Sequence, residues 1–278
     1  MAEPKWAHPE AIEREYTKTL KQYARRCQRA VNELMMPEVP RLVEMAGMRG
    51  DALGESEEEN EGTWADRLNE ILGTVLAALL GRRAQQVFEG MAGPASASDV
   101  GVTEFGERVS RFNLRQFVKL VRRVYGEPYS KAEPDLDKLM RAWELENLKL
   151  IRSIPERYVD DLQGVIIRAI NEGQSATDLR DTIRATYDKP VNRAQLIAND
   201  QISKLNAQIT KYRQQAIGID EYYWRGVLDW RERAHHRRRE REAFKWSKPP
   251  RDGHPGQPIH CRCWASPKWP PRDEVTLQ

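Results

Sequence analysis

Long apolar runs are missing from this chain of 278 residues. The longest, at 75–80, falls far short of the ~20 residues that cross a bilayer, so no membrane partner is expected. Residues 1–9 contain no apolar core, so no secretory leader is expected either. Cysteine is scarce, with only Cys27, Cys261 and Cys263 present. An odd count that includes a C-x-C pair is no disulfide framework, and a bridge between positions so close would be strained. No H-E-x-x-H, nucleophile elbow or P-loop occurs, and the chain is not expected to be an enzyme. No internal repeat is visible.

Charge is plentiful but unevenly placed. Charged residues make up 31% of the chain and the formal net charge is +3. Residues 222–278 carry 13 Lys/Arg against 7 Asp/Glu, so the tail is basic and everything before it is net acidic.

Helical periodicity fills most of the remainder. Ile12, Tyr16, Leu20, Tyr23, Cys27, Val31 and Leu34 recur at steps of three and four, which paints one stripe on a helix that Pro37 and Pro40 should end. The cluster of glutamates in 51–62 reads as a solvated linker. Thr63 with Asp66 is a capping-box-like start to a helix whose broad stripe runs from Trp64 to Leu80. Residues 90–98, small and Pro-containing, read as a connection, followed by a helix carrying Phe105 to Val124. Further helices carry Leu139 to Ile151, Tyr158 to Ile170, a short 177–187 and a long 194–216. Pro155 should interrupt or restart one of them, and Gly173 and Gly218 should stop theirs. Tyr222, Tyr223, Trp224, Val227 and Leu228 change the pattern to that of a strand. The expected fold is mainly α, with a small α+β lobe at 219–278. The expected division is a helical region 1–130 and a second domain 131–278. The N-terminal stripe either completes a helical bundle or forms a docking arm for a larger assembly.

Three pieces of the tail carry chemistry: Asp229 to His236, Phe244 to Pro250, and Asp252 to Trp264. On a helix, Asp229, Arg233 and His236 would share one face, with Arg231 close by, as a structural network. In an extended segment Cys261 and Cys263 point to one side. Two thiolates and a histidine brought in from elsewhere would make a zinc site, with His236, His254, His260 and Asp229 as candidates for the third and fourth ligands. The competing reading packs the thiols as small hydrophobes and leaves the histidines exposed. Arg237, Arg238, Arg239 and Arg241 could meet nucleic-acid phosphates. They could equally form a solvated face balanced by Glu240 and Glu242, or meet an acidic protein.

In order, Asp229, Arg231, Arg233 and His236, then Phe244, Pro249 and Pro250, then His254 to Pro258 and Cys261 to Cys263 resemble the head-morphogenesis domain of tailed phages, related to protein F of phage Mu. Upstream, Asn147 to Pro155, Leu196 to Ala198, Asp200, Gln201, Tyr223 and Trp224 resemble the same family in the same order, so the likeness covers about 143–267. Asn199 stands where the family has arginine and His260 where it has asparagine, which leaves Cys261, Cys263 and His236, then His254, as the metal candidates. The resemblance implies a minor head protein of the virion, assembled in the host cytoplasm. It would act near the portal vertex, with the portal protein, a major capsid or scaffolding protein and genomic DNA as partners. The alternative is a metal-dependent hydrolase or nuclease using Asp229, His236 and the thiols.

Overall fold

A computed structural model describes residues 6–48, 63–80 and 100–278. The expected linker at 51–62 and the connection at 90–98 lie outside the described residues. Eight α-helices are described: α1 (Glu10–Ala30), α2 (Val39–Met48), α3 (Trp64–Leu80), α4 (Val102–Tyr125), α5 (Leu136–Asn171), α6 (Ala176–Arg184), α7 (Asp188–Ala216) and α8 (Ala234–Arg238). Among them, none is long and apolar enough to cross a membrane.

Proline breaks these helices less than expected. The chain passes from α1 through a π-helical turn, Val31–Met35, and a 3-10 turn, Met36–Glu38, straight into α2. Pro37 and Pro40 fall in the first turns of new segments, where a missing N–H costs nothing. Pro155 lies inside α5, which continues through it. Ile151, Ile154, Tyr158 and Leu162 are buried on both sides of it, and this continuous apolar stripe outweighs the one lost backbone bond. At the start of α3 the capping box is made. Asp66 N donates to Thr63 Oγ1 at 3.2 Å, and Thr63 N donates to Asp66 Oδ2 at 2.7 Å. Thr63→Ala is expected to cost about 1 kcal/mol in urea denaturation and Thr63→Ser almost nothing.

The compact units are not the sequential halves expected around residue 130. One comprises Met1–Thr17, Gly101–Asn147 and Leu196–Gln278; the other comprises Lys18–Val100 and Leu148–Gln195. The reason lies in helix length. A helix of 36 residues such as α5 rises about 54 Å, more than one small core can cover, so α1, α5 and α7 each contribute to both units. In the second unit, Leu20, Cys27, Val31, Leu42, Leu68, Val75, Leu162, Ile166 and Ile183 are buried. The α1 stripe is therefore used inside the fold and is not left as a docking arm.

In the first unit, Trp6, Phe117, Leu120, Val121, Tyr129, Ile217, Ile219, Val275 and Leu277 form one apolar cluster. Beside it lies a three-stranded antiparallel sheet of β1 (Glu221–Arg225), β2 (Ala243–Lys245) and β3 (Trp264–Pro267), in the order β2-β1-β3. Tyr222 faces Phe244 and Pro267, and Trp224 faces Ala265. The strand period of two puts Tyr222 and Trp224 on the buried face, where Trp246, Cys261, Cys263 and Ala265 complete a second cluster. Gln214 of α7 ties this lobe to the helices: its Nε2 donates to Ala265 O and its Oε1 accepts from Trp246 Nε1, both at 3.1 Å.

Candidate functional site

The two long connections of the lobe, 226–242 and 246–263, bring the three motif pieces together. The first carries the short α8, which holds His236, only 2% exposed. The second ends in an extended run into β3, so Cys261 and Cys263 point to one side, both buried, while Arg262 points away. His236 Nδ1 lies 3.6 Å from Cys261 Sγ and 3.6 Å from Cys263 Sγ. These three donor atoms converge within 4.8 Å of one another.

Each donor is fixed from behind. His236 Nε2–H donates to Asp252 Oδ2 at 2.8 Å, which leaves the Nδ1 lone pair facing the sulfurs. Asp252 also accepts from His235 Nε2 at 3.0 Å, and the Arg239 guanidinium forms an ion pair with its other oxygen at 2.7 Å. Burial alone would raise the Asp252 carboxyl. The bonds from His236 and Arg239 outweigh it and hold the group well below the usual carboxylate range. Gly256 N donates to Cys261 Sγ at 3.3 Å, and the Trp224 ring shares the buried cluster with Cys263. The two thiols also hydrogen-bond each other, which lowers the Cys261 thiol and raises that of Cys263. Glu232 Oε1 sits 3.5 Å from Cys263 Sγ, while its other oxygen accepts from Leu228 N at 2.5 Å. A cavity of about 100 Å³ opens beside the group, lined by Val227, Arg231, Glu232, Arg233, His260 and Arg262 as well as the three donors.

The expected helical face of Asp229, Arg233 and His236 does not form, because the helix spans only Ala234–Arg238 and Asp229 precedes it in a bend. Each residue instead reaches the 252–263 connection. Asp229 Oδ1 pairs with Arg262 at 2.6 Å, Arg233 donates to Ile259 O at 2.6 Å, and His236 holds Asp252. Arg262, then burial opposing it, then the Arg231 N–H set the Asp229 carboxyl below its ordinary value. Arg231 pairs weakly with Asp229 at 3.5 Å and lies over the exposed Trp230 ring.

The four arginines proposed for nucleic acid divide. Arg239 is a structural residue, stacked 4.9 Å over Trp224 and paired with Asp252. Arg237 donates to Asp229 O but remains exposed. Arg238 and Arg241 are exposed. His254 is not with the thiols. Its Nδ1 accepts from Tyr222 Oη at 2.9 Å within the Tyr222–Trp246 cluster. His260 is exposed, with a left-handed φ of 57°. Its backbone N–H donates to Asp200 at 3.3 Å, which links the upstream motif on α7 to the C-x-C segment. Asp252 and Glu232 were not singled out in the sequence. The only signal for Asp252 was an acid opening a turn two residues before His254.

Residues 160–266 match the family described as Phage Mu protein F like protein. An uncharacterized protein of Haemophilus influenzae is 35% identical over 136 residues, covering 49% of this chain and 30% of that protein. The chain thus spans less than a third of the length of the curated relative it matches. No solved structure matches the chain. The matched segment contains the upstream Asp200 and the whole converging cluster, so residues 160–266 are similar to phage Mu protein F-like proteins.

Proposed function

We propose that this chain is a minor head protein of a tailed bacteriophage, acting in head assembly at or near the portal, with one exposed basic face that contacts packaged DNA. The observation that carries the reading is the match over 160–266, with Asp200, Asp229, His236 and the C-x-C segment meeting in one lobe. A structural role fits this lobe better than catalysis by Asp229, His236 and the thiols. Asp229, which would have to serve as base, is engaged by Arg262 and Arg231 and is not among the converging donors.

The basic face supports the DNA contact. Arg231, Arg233, Arg237, Arg238 and Arg241 are exposed along the 226–242 connection, with Trp230 87% exposed among them. Arginines around an exposed aromatic ring suit a phosphate backbone with its bases. An acidic face on the portal or capsid protein would suit the same surface.

Two measurements test the proposal. Mass spectrometry of purified phage particles from the host that carries this gene should find the chain in the heads; its absence there overturns the head reading. A labelled duplex should bind the full chain at low salt, with affinity falling steeply as salt rises. Arg238→Glu/Arg241→Glu should weaken binding across sequences and reduce the salt slope by about 2. No binding at low salt removes the DNA contact and leaves the protein partner.

A further inference from the structure

We propose that His236, Cys261 and Cys263 hold one zinc ion whose role is to clasp the 226–242 connection to the 246–263 connection. The inference does not depend on the head-assembly reading.

The spacing carries it first. Zinc bonds to sulfur at about 2.3 Å and to imidazole nitrogen at about 2.0–2.1 Å, so tetrahedral ligands of these two kinds stand about 3.6 Å apart. His236 Nδ1 is 3.6 Å from both sulfurs. The surrounding shell is of the kind a metal site needs. The ring nitrogen turned away from the sulfurs donates to a carboxylate, Asp252, which Arg239 anchors in turn. Cys261 Sγ accepts an N–H hydrogen bond from Gly256, and such a bond stabilises the negative charge of a thiolate. Gly256 has a φ of +83°, and a Cβ there would lie 2.7 Å from the Ala207 Cβ, so only glycine brings that N–H to the sulfur.

The fourth position faces the cavity of about 100 Å³. Glu232 lies at its edge, its carboxylate packed against Gly226 so closely that a Cβ on that glycine would fall 2.1 Å from Oε1. Glu232 Oε1 lies 3.5 Å from Cys263 Sγ, and the cavity is large enough for a water to join it to the ion. Binding converts the thiols to thiolates and releases their protons, so affinity falls in acid.

A clasp answers a physical need of the lobe. The sheet has three short strands, and the two connections between them are long and irregular. So small a core gains from a metal staple in the way small domains generally do. A zinc bound to α8 on one connection and to the C-x-C run on the other closes both at once.

Elemental analysis of the full chain, purified under reducing conditions without chelator, tests this. About one zinc per chain is expected. Cys27→Ser should keep it and Cys261→Ser/Cys263→Ser should lose it. Because that double variant could fail to fold, Asp252→Asn gives a second reading, with zinc affinity reduced about 10–100-fold and the helical signal unchanged. Cobalt added to metal-free native protein should give thiolate-to-metal charge-transfer absorption, reduced by roughly half in Cys261→Ser. Native protein free of metal and silent with cobalt, or full zinc retained by Cys261→Ser/Cys263→Ser, would overturn the proposal.

Discussion

Arg213→Ala is expected to destabilise the unit built from Met1–Thr17, Gly101–Asn147 and Leu196–Gln278 by about 3–5 kcal/mol. Arg213 is 1% exposed, in the last turn of α7, and all five of its donors are satisfied. Nε and Nη2 grip Glu133 at 2.6 and 2.9 Å. Nη1 donates to Ser110 O at 3.0 Å and to Asn113 Oδ1 at 2.8 Å, and Nη2 also reaches Ser110 Oγ at 3.2 Å. Asn113 is engaged in turn. Its amide meets Asn206 Oδ1 at 3.0 Å and Thr210 Oγ1 at 2.8 Å, while Tyr129 donates to Glu133 at 3.0 Å. Removing the guanidinium strands a carboxylate that is only 16% exposed, along with several polar groups that water cannot reach. The charge pair itself contributes little beyond its geometry, because desolvation offsets most of its Coulomb attraction. Arg213→Met/Glu133→Leu should therefore recover much of what Arg213→Ala loses. Denaturant titration of the three proteins decides it. If Arg213→Ala falls within about 1 kcal/mol of the native protein, this network is no keystone.

That network also marks the boundary of what the sequence made legible. The apolar stripes of α1, α3 and α4 were readable because burial repeats with the helical period. So was the capping box at Thr63, which is local. Arg213 falls on the long helix expected at 194–216, and nothing local marks it as buried. Its burial depends on Glu133 and Asn113, distant in sequence. Pro155 misled for the opposite reason: a local rule forecast a break, and packing on both sides overrode it. In the lobe, the C-x-C pair announced itself because extended chain puts alternate residues on one side. His236 is one of four candidate partners that ligand chemistry allows, and nothing local separates it from His254, His260 or Asp229. Assuming a helix from Asp229 onward gave the wrong partners for Asp229 and Arg233, since five residues of helix cannot present an i, i+7 face. Asp252 and Glu232 needed the folded connections to become visible.

His254 should make the stability of the lobe depend on pH in a window apart from that of the carboxylates. The ring is 3% exposed. Its Nδ1 accepts from Tyr222 Oη, and it bonds the Trp246 backbone as well, so protonation would put a second hydrogen where the tyrosine already donates. Burial, then the charge of Lys211, push its pKa from the ordinary 6.5 down to about 4. The sign follows from proton counting. Between those two values the unfolded chain holds a proton on His254 that the folded chain does not. Acidification therefore favours unfolding; the stabilising effect of the neutral ring is complete above about pH 6.5 and is lost progressively toward pH 4. The whole window corresponds to about 3 kcal/mol at most. The loss from the Asp252 carboxylate begins lower, below the ordinary value of 3.8, and comparison with a variant that lacks only this ring separates His254 from the lowered Cys261 thiol between pH 5 and 6.5. His254→Asn keeps an acceptor for Tyr222 and cannot titrate. Urea midpoints measured across this range, at equal metal content, should fall with pH in the native protein and stay nearly level in His254→Asn. Parallel curves would mean that folded and unfolded chains protonate His254 alike, and that Tyr222 does not hold its Nδ1.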